Sequence, residues 1–475
     1  MSHPDALPRL APWGLVAVGL VVALLTFADY GPTPDDAIQA TYGELALAYF
    51  ATGGADRSAD EYLDLRYYGP LVEMIPALVW GEDRPGRFET RHLVLGLVAL
   101  LVVPAVWGYA RRFGLPVLPL FAVLAVCTQP RFYGHWFNNS KDAPFAIAMV
   151  WYLLTLAGLV NADRWRWRQA LLCGAAMGLT ACVRPGGFPV LLLFLGGALV
   201  IRYVPGGAGP EPRPPRRDRL GELWAQLAVT PVVAWIVMVA PWPWAHAAPI
   251  AHPLEAMRVA GRFPTTMPIL FDGRTWPSDG LPWFYIPKYV LIGTPLGLLA
   301  LALIGLLFAV RAAGRERRPR ESRMALLTLL WLFVPLGLFA LLRPNVYGGM
   351  RHFLFVLPPL GILAGYGAAR LLAAVPRRRR VVVGIALGVV LLLPVRHLVR
   401  LHPYQISYYN ALVGGVGGAS ERYWTDYGMT SYRAAIEWVN QRAAATPERP
   451  VRAALAAGSG STRRRSGKGS SDPVR

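Results

Sequence analysis

The chain has 475 residues, 54% of them hydrophobic and only 16% charged, with a net charge of +20. The apolar residues fall in long uncharged blocks, such as WGLVAVGLVVALLTFA, LLLFLGGALVI and VVVGIALGVVLLLP, which approach the roughly 17 to 25 residues that cross a bilayer and exclude an ordinary soluble domain. The basic excess does not describe a nucleic-acid groove, because the arginines sit in short clusters between apolar spans.

In chain order the apolar blocks predict about eleven transmembrane helices, centred near residues 20, 100, 122, 152, 176, 196, 234, 299, 333, 363 and 388. Strand-type alternation is absent, so the expected class is an all-α polytopic membrane protein with juxtamembrane helices on its outer face. The first span follows Arg9, and although TFA near Ala28 is a passable cleavage site, the length of the block favours an uncleaved anchor. Cys127, Cys173 and Cys182 all lie inside apolar spans, where they act as small hydrophobes with no disulfide framework or CxxC site.

A cytoplasmic N-terminus puts five arginine clusters on the inner side: Arg111 and Arg112; Arg164, Arg166 and Arg168; Arg213, Arg216, Arg217 and Arg219; Arg315, Arg317, Arg318 and Arg320; and Arg377 through Arg380. The long aromatic and acidic loops, Asp29 to Arg91, Gln129 to Asp142, His246 to Lys288, Arg343 to His352 and everything after Arg396, then face outward. That side is where chemistry is expected. The stretches PGGAGPEPRPPRRDR and RAAGRERRPRESR read as flexible inner connectors. Residues 1–395 are therefore expected to form the transmembrane domain, 396–445 a short outer segment with an amphipathic stretch at Tyr432 to Gln441, and 446–475 a disordered tail.

Charged groups gather at the outer ends of spans. In TPDDAIQATYGELALAYF, Ile38, Tyr42, Leu45 and Tyr49 recur at helical spacing, predicting a surface helix with Asp35 and Asp36 at its start. One aspartate suffices as an N-cap; a second carboxylate beside a bilayer is free to act as a general base or metal ligand, and on the residues alone both readings stay open. In RFYGHWFNNSKDAPFA, Asp142 before Ala-Pro is a plausible N-cap. His135, Asn138, Asn139 and Lys141 crowd the same turn and could supply metal or hydroxyl contacts, or simply be solvated. Arg184, Arg343 and Arg351 sit at outer span ends, where snorkelling is common, but several arginines around one cavity make a site for a phosphate headgroup.

Together these motifs resemble the GT-C membrane glycosyltransferases that use polyprenyl-phosphate sugars, in the branch with protein O-mannosyltransferases and lipid A aminoarabinose transferases. The resemblance runs from the first span to about Asn440. It rests on the acidic pair in PDDAIQATYGE, on the first-loop RYYGPLVEM, and on KDAPFA, VRPGG, LPWFYIPKYVLIGTPL and MRHFLFVLPPL, in that family's order. Asp36 replaces the commoner glutamate, and the soluble C-terminal domain of many members is absent or cut short after DYGMTSYRAAIEWVN, which leaves acceptor recognition open.

The resemblance implies an inverting transfer of a sugar from a polyprenyl-phosphate donor to a hydroxyl on a protein, lipid or glycan acceptor, with no nucleic acid involved. It implies Asp35, within the Asp35 and Asp36 pair, as the catalytic base. Arg184, Arg351, His352 and Arg66 would surround the donor phosphate, with Tyr68 nearby, and Asp142 with His135 would hold a divalent metal cation or orient the acceptor. The competing class is a transporter or flippase. No inverted repeat and no charge at a span centre supports it.

Overall fold

The computed structural model describes residues 10–79, 86–162, 166–203, 216–261, 266–314, 319–426 and 428–445. The expected tail, most of the first connector and part of the second lie outside these residues. Ten of the eleven predicted positions fall on helices, and the one near 100 falls on the short break between two helices, Arg87–Ala99 and Val102–Arg111. Among the described residues nine stretches are long and apolar enough to cross a membrane: Ala11–Asp29, Arg87–Arg111, Asp142–Val160, Pro185–Tyr203, Leu220–Val239, Leu296–Ala313, Arg320–Leu342, Arg351–Ala374 and Arg377–Arg400. The positions near 122 and 176 belong to shorter helices, Leu118–Cys127 of 10 residues and Trp167–Val183 of 17. This is a multi-pass membrane protein.

The helices named below are numbered in chain order: α1 (Ala11–Thr26), α2 (Pro34–Ala51), α3 (Leu71–Val79), α4 (Arg87–Ala99), α5 (Val102–Arg111), α6 (Leu118–Cys127), α7 (Asp142–Val160), α8 (Trp167–Val183), α9 (Phe188–Tyr203), α10 (Arg216–Val239), α11 (Leu296–Ala313), α12 (Pro319–Leu342) and α13 (Leu357–Ala374). The core of the bundle is α7 and α13, whose spans are 72% and 89% buried, whereas that of α1 is 11% buried and lies at the edge of the bundle. Small residues let helices meet closely here, as in membranes generally. A Cβ on Gly305 of α11 would stand 1.9 Å from the Leu363 carbonyl oxygen, and one on Gly367 of α13 would stand 2.2 Å from that of Leu301.

α2 forms where the apolar stripe predicted it, and packs Ile38, Tyr42 and Leu45 against Ala59, Leu65 and Tyr68 of its own loop. The long loop before α11 contains a hairpin that the strand reading did not anticipate, β1 (Pro268–Phe271) paired antiparallel with β2 (Arg274–Pro277). Its turn is Asp272–Gly273, both with positive φ, which is the hairpin signal that the short strands concealed. The segment after the last span folds back onto this loop. Asn410 Nδ2 donates to the Leu291 and Thr294 carbonyls at 2.7 and 2.8 Å, and the Gly273 N–H donates to the Arg422 carbonyl at 3.1 Å.

Candidate active site

The start of α2 separates two neighbouring carboxylates. The N-cap is Thr33, not an aspartate, and Asp36 at the third helical position closes a capping box: the Thr33 N–H and hydroxyl donate to Asp36 Oδ2 at 2.7 and 2.9 Å. Asp36 Oδ1 accepts from Arg91 Nε at 3.2 Å, and His92 Nε2 lies 3.4 Å from Oδ2. Both carboxylate oxygens are engaged, and the group is buried. Burial alone would raise the Asp36 pKa; the His92, Arg91 and Thr33 contacts outweigh it and hold the carboxyl below its ordinary value.

Arg91 extends the network. Its Nη2 donates to Glu73 Oε2 at 2.5 Å, while Ser140 Oγ donates to Glu73 Oε1 at 2.7 Å. The chain Asp36–Arg91–Glu73–Ser140 therefore ties α2, α4, α3 and the loop before α7 together. The sequence reading took Arg91 only as a loop boundary and did not single out Glu73. The available signal was the charge inside the opening turns of an otherwise apolar span, which demands a buried partner.

Asp35, one residue earlier, has a side chain 56% exposed, with Oδ2 3.5 Å from Arg351 Nη1. The same Arg351 nitrogen is 3.8 Å from Asp142 Oδ2, and Asp142 Oδ1 accepts from Arg184 Nη2. Asp142 does not cap its own helix. Its N–H donates instead to Asn139 Oδ1 at 2.8 Å, and Asn139 Nδ2 donates to Asp142 Oδ2 at 3.1 Å. The Asp142 carboxylate is thereby freed to hold both arginines, which come from the end of α8 and from the turn before α13.

Lys141 completes the cluster. Its Nζ lies 4.5 Å from the centre of the Tyr68 ring. With the Gln39 amide turned so that its oxygen meets Lys141 Nζ at 2.5 Å, its nitrogen donates to Glu73 Oε1 at 3.0 Å. Burial, partly offset by Asp35 and Glu73, lowers the Lys141 pKa to about 8. Tyr68 reaches this place because the next residue is glycine: a Cβ on Gly69 would stand 1.8 Å from the Cys182 carbonyl oxygen at the end of α8.

The other expected residues divide. His352 is close by, its ring edge-on to Tyr347 at 4.8 Å, and Tyr347 also carries the Arg351 guanidinium 4.7 Å from its centre. Arg66 is not brought to the cluster. It turns to Tyr67, whose hydroxyl donates to Glu255, and its carbonyl accepts from the Trp242 indole. His135 is buried and its Nδ1 lies 3.0 Å from Asn139 Nδ2; burial pushes its pKa down to about 3, so it is neutral.

A cleft of about 430 Å³ opens between these groups, lined among others by Asp35, Gln39, His135, Lys141 and Arg351. A second, of about 300 Å³, shares His135, Arg351 and Ile406 and adds Arg131 and Trp424. The metal role expected of Asp142 and His135 does not fit these residues. Asp142 is held by two guanidinium groups, a third cation stands alongside, and among the described residues no group of three or more His, Cys, Asp or Glu could hold an ion. The donor set suits an anion.

No family model matches the sequence, and no curated protein matches it. Solved structures do. The chain superposes on ArnT from Cupriavidus metallidurans bound to undecaprenyl phosphate with a TM-score of 0.54 at 17% identity, covering 90% of this chain and 76% of ArnT. It superposes on the Archaeoglobus fulgidus oligosaccharyltransferase tethered with an acceptor peptide with a TM-score of 0.55 at 10% identity, covering 93% of this chain and 58% of that one. For the mycobacterial arabinofuranosyltransferase AftD the values are 0.50 and 19%, covering 85% of this chain and 28% of AftD. These are GT-C fold glycosyltransferases, and the chain has the GT-C fold.

Proposed function

We propose that the protein transfers a sugar from a polyprenyl-phosphate donor to an acceptor hydroxyl, with inversion, in the cleft beside Asp35. The observation that carries this reading is the division of labour at the start of α2: Asp36 is buried with both carboxylate oxygens engaged, while Asp35 is exposed at a cleft that Arg351, 3.5 Å from it, also lines. A general base must reach solvent-borne substrate, and a leaving phosphate must meet preorganised cations. Support also comes from the fold shared with ArnT, solved with undecaprenyl phosphate.

In this mechanism Asp35 takes the proton of the acceptor hydroxyl as its oxygen attacks the anomeric carbon. The bond from that carbon to the phosphate oxygen breaks, and its electron pair leaves on the polyprenyl phosphate. Arg184, Arg351 and Lys141 neutralise the developing charge, with His352 beside them. Asp142 keeps the two guanidiniums in place before the donor arrives, and Asp36 positions Asp35 through the capping box. No step is routed through a metal. The positive-inside pattern supports an outward-facing cleft in the cell membrane, with residues 1–395 as the transferase domain and 396–445 as an outer segment that adds Ile406 and Trp424 to the cleft walls.

The test is reconstitution in proteoliposomes with a panel of polyprenyl-phosphate sugars, following release of polyprenyl phosphate and the anomeric configuration of the product. The expected result is cleavage of one donor with inversion. Passage of intact lipid-linked sugar across the bilayer without cleavage would replace the enzyme reading with a transporter.

A further inference from the structure

At the opposite end of α7, about 28 Å away by the rise of its 19 residues, lies a cavity that the proposed transfer does not use. It is open to solvent, with a volume of about 780 Å³, and is lined by Gly108, Arg111, Arg112, Gly114, Asn161 and Arg320. The three arginines come from two separate places, the end of α5 and the first turn of α12. None of them makes an ion pair among the described residues. The acidic residue next in sequence, Glu321, is turned away to Arg370 at 3.3 Å and to the Tyr366 hydroxyl at 2.5 Å.

A topological role explains arginines at an inner helix end, and the C-terminus of α5 welcomes Arg111 through its dipole. It does not explain the convergence. Arg320 stands at the start of α12, where the helix dipole opposes a cation. Arg112 is half-buried, and among the described residues its Nη1 has only the Gly108 carbonyl, at 3.2 Å. Its Nη2 is held against α7, 3.4 Å from where a Cβ on Gly158 would be. Asn161 is fixed by its Nδ2, which donates to the Ala157 carbonyl at 2.9 Å, and its buried Oδ1 has no partner among the described residues. Arg111 and Arg320 are exposed, but Arg112 is partly desolvated with Arg111 beside it, and like charges so gathered cost stability unless an anion joins them.

The geometry points to a phosphate-binding site at this end of the bundle, in which Arg111, Arg112 and Arg320 take the phosphate oxygens and Asn161 Oδ1 accepts from a neighbouring hydroxyl. A phosphodiester lipid headgroup with a free hydroxyl and free inorganic phosphate share this chemistry. Basic pockets between transmembrane helices recognise such headgroups.

Native mass spectrometry of the full chain from phosphatidylcholine nanodiscs tests this, with phosphatidylglycerol added in one arm and inorganic phosphate in the other. The parent should retain one more adduct than Arg112→Gln/Arg320→Gln in at least one arm. Loss in the lipid arm alone assigns a headgroup, and loss in the phosphate arm assigns the free anion. Ligands at the Asp35 cleft remain in both proteins and cancel. Equal adduct numbers in both arms would overturn the site. If the double variant does not fold, the exposed single change Arg320→Gln should cut adduct survival on collisional activation about threefold, and unchanged survival would overturn the site equally.

Discussion

Arg351 Nη1 lies 3.5 Å from Asp35 Oδ2, joining the first loop to a turn 316 residues later across the mouth of one cleft. The same guanidinium reaches Asp142, which also holds Arg184. Lys141, Arg184 and Arg351 thus meet the Asp35 and Asp142 carboxylates in a small volume, with Glu73 linked to Lys141 through the Gln39 amide.

The two neighbouring aspartates should fail differently. Asp36→Asn removes a buried partner of Arg91 and part of the capping box, and should cost about 3–5 kcal/mol. Asp35→Asn, at an exposed side chain, should change stability by less than about 0.5 kcal/mol. Thermal unfolding of both variants in one detergent checks this; equal losses would contradict the division of roles.

Much of this was legible in the sequence. Uncharged blocks located the helices, and the apolar stripe of Ile38, Tyr42 and Leu45 located α2, because spacing along one element is a local property. Asp142, Arg184 and Arg351 stood out as charges at span ends. What could not be read was which partner each charge chooses. Asp36 differs from Asp35 only because the helix turn points it at Arg91, and Arg66 leaves the cluster because Tyr67 and Trp242 hold its loop elsewhere. The Glu73–Arg91 pair joins residues on different helices, a relation set by packing and not by spacing.

Arg184→Gln should remove a charge-assisted contact to the donor phosphate worth about 1.5–3 kcal/mol, lowering kcat/KM roughly 10- to 150-fold. Arg184→Lys should recover only part of this, since ammonium lacks the planar fork. Steady-state kinetics against donor concentration decide it, and full recovery by lysine would show that charge alone matters.

Lys141 sets a pH limit. Its pKa is lowered to about 8, mainly by burial, so its charge is present below that pH and lost above it. Donor affinity should fall as pH rises through about 8, and Lys141→Gln should remove this limb. Stability should move the other way, because between about 8 and the ordinary lysine value the unfolded chain binds more protons than the folded one. His135, pushed down to about 3, should contribute no limb near the ordinary histidine value. A limb near that value that vanishes in His135→Gln would contradict its neutral assignment.

Gly69→Ala should disturb the contact of the first loop with α8, since the added carbon would stand 1.8 Å from the Cys182 carbonyl oxygen. A loss of about 1–3 kcal/mol, with a raised KM as Tyr68 and Lys141 shift, is expected from thermal unfolding and kinetics together.

The most direct test of the central claim is the single-turnover rate of sugar transfer from a polyprenyl-phosphate donor by Asp35→Asn in proteoliposomes, beside the parent. Loss of a general base predicts a fall of about 100-fold or more in a variant that unfolds at the parent temperature. Transfer at the parent rate by that folded variant would remove Asp35 as the base.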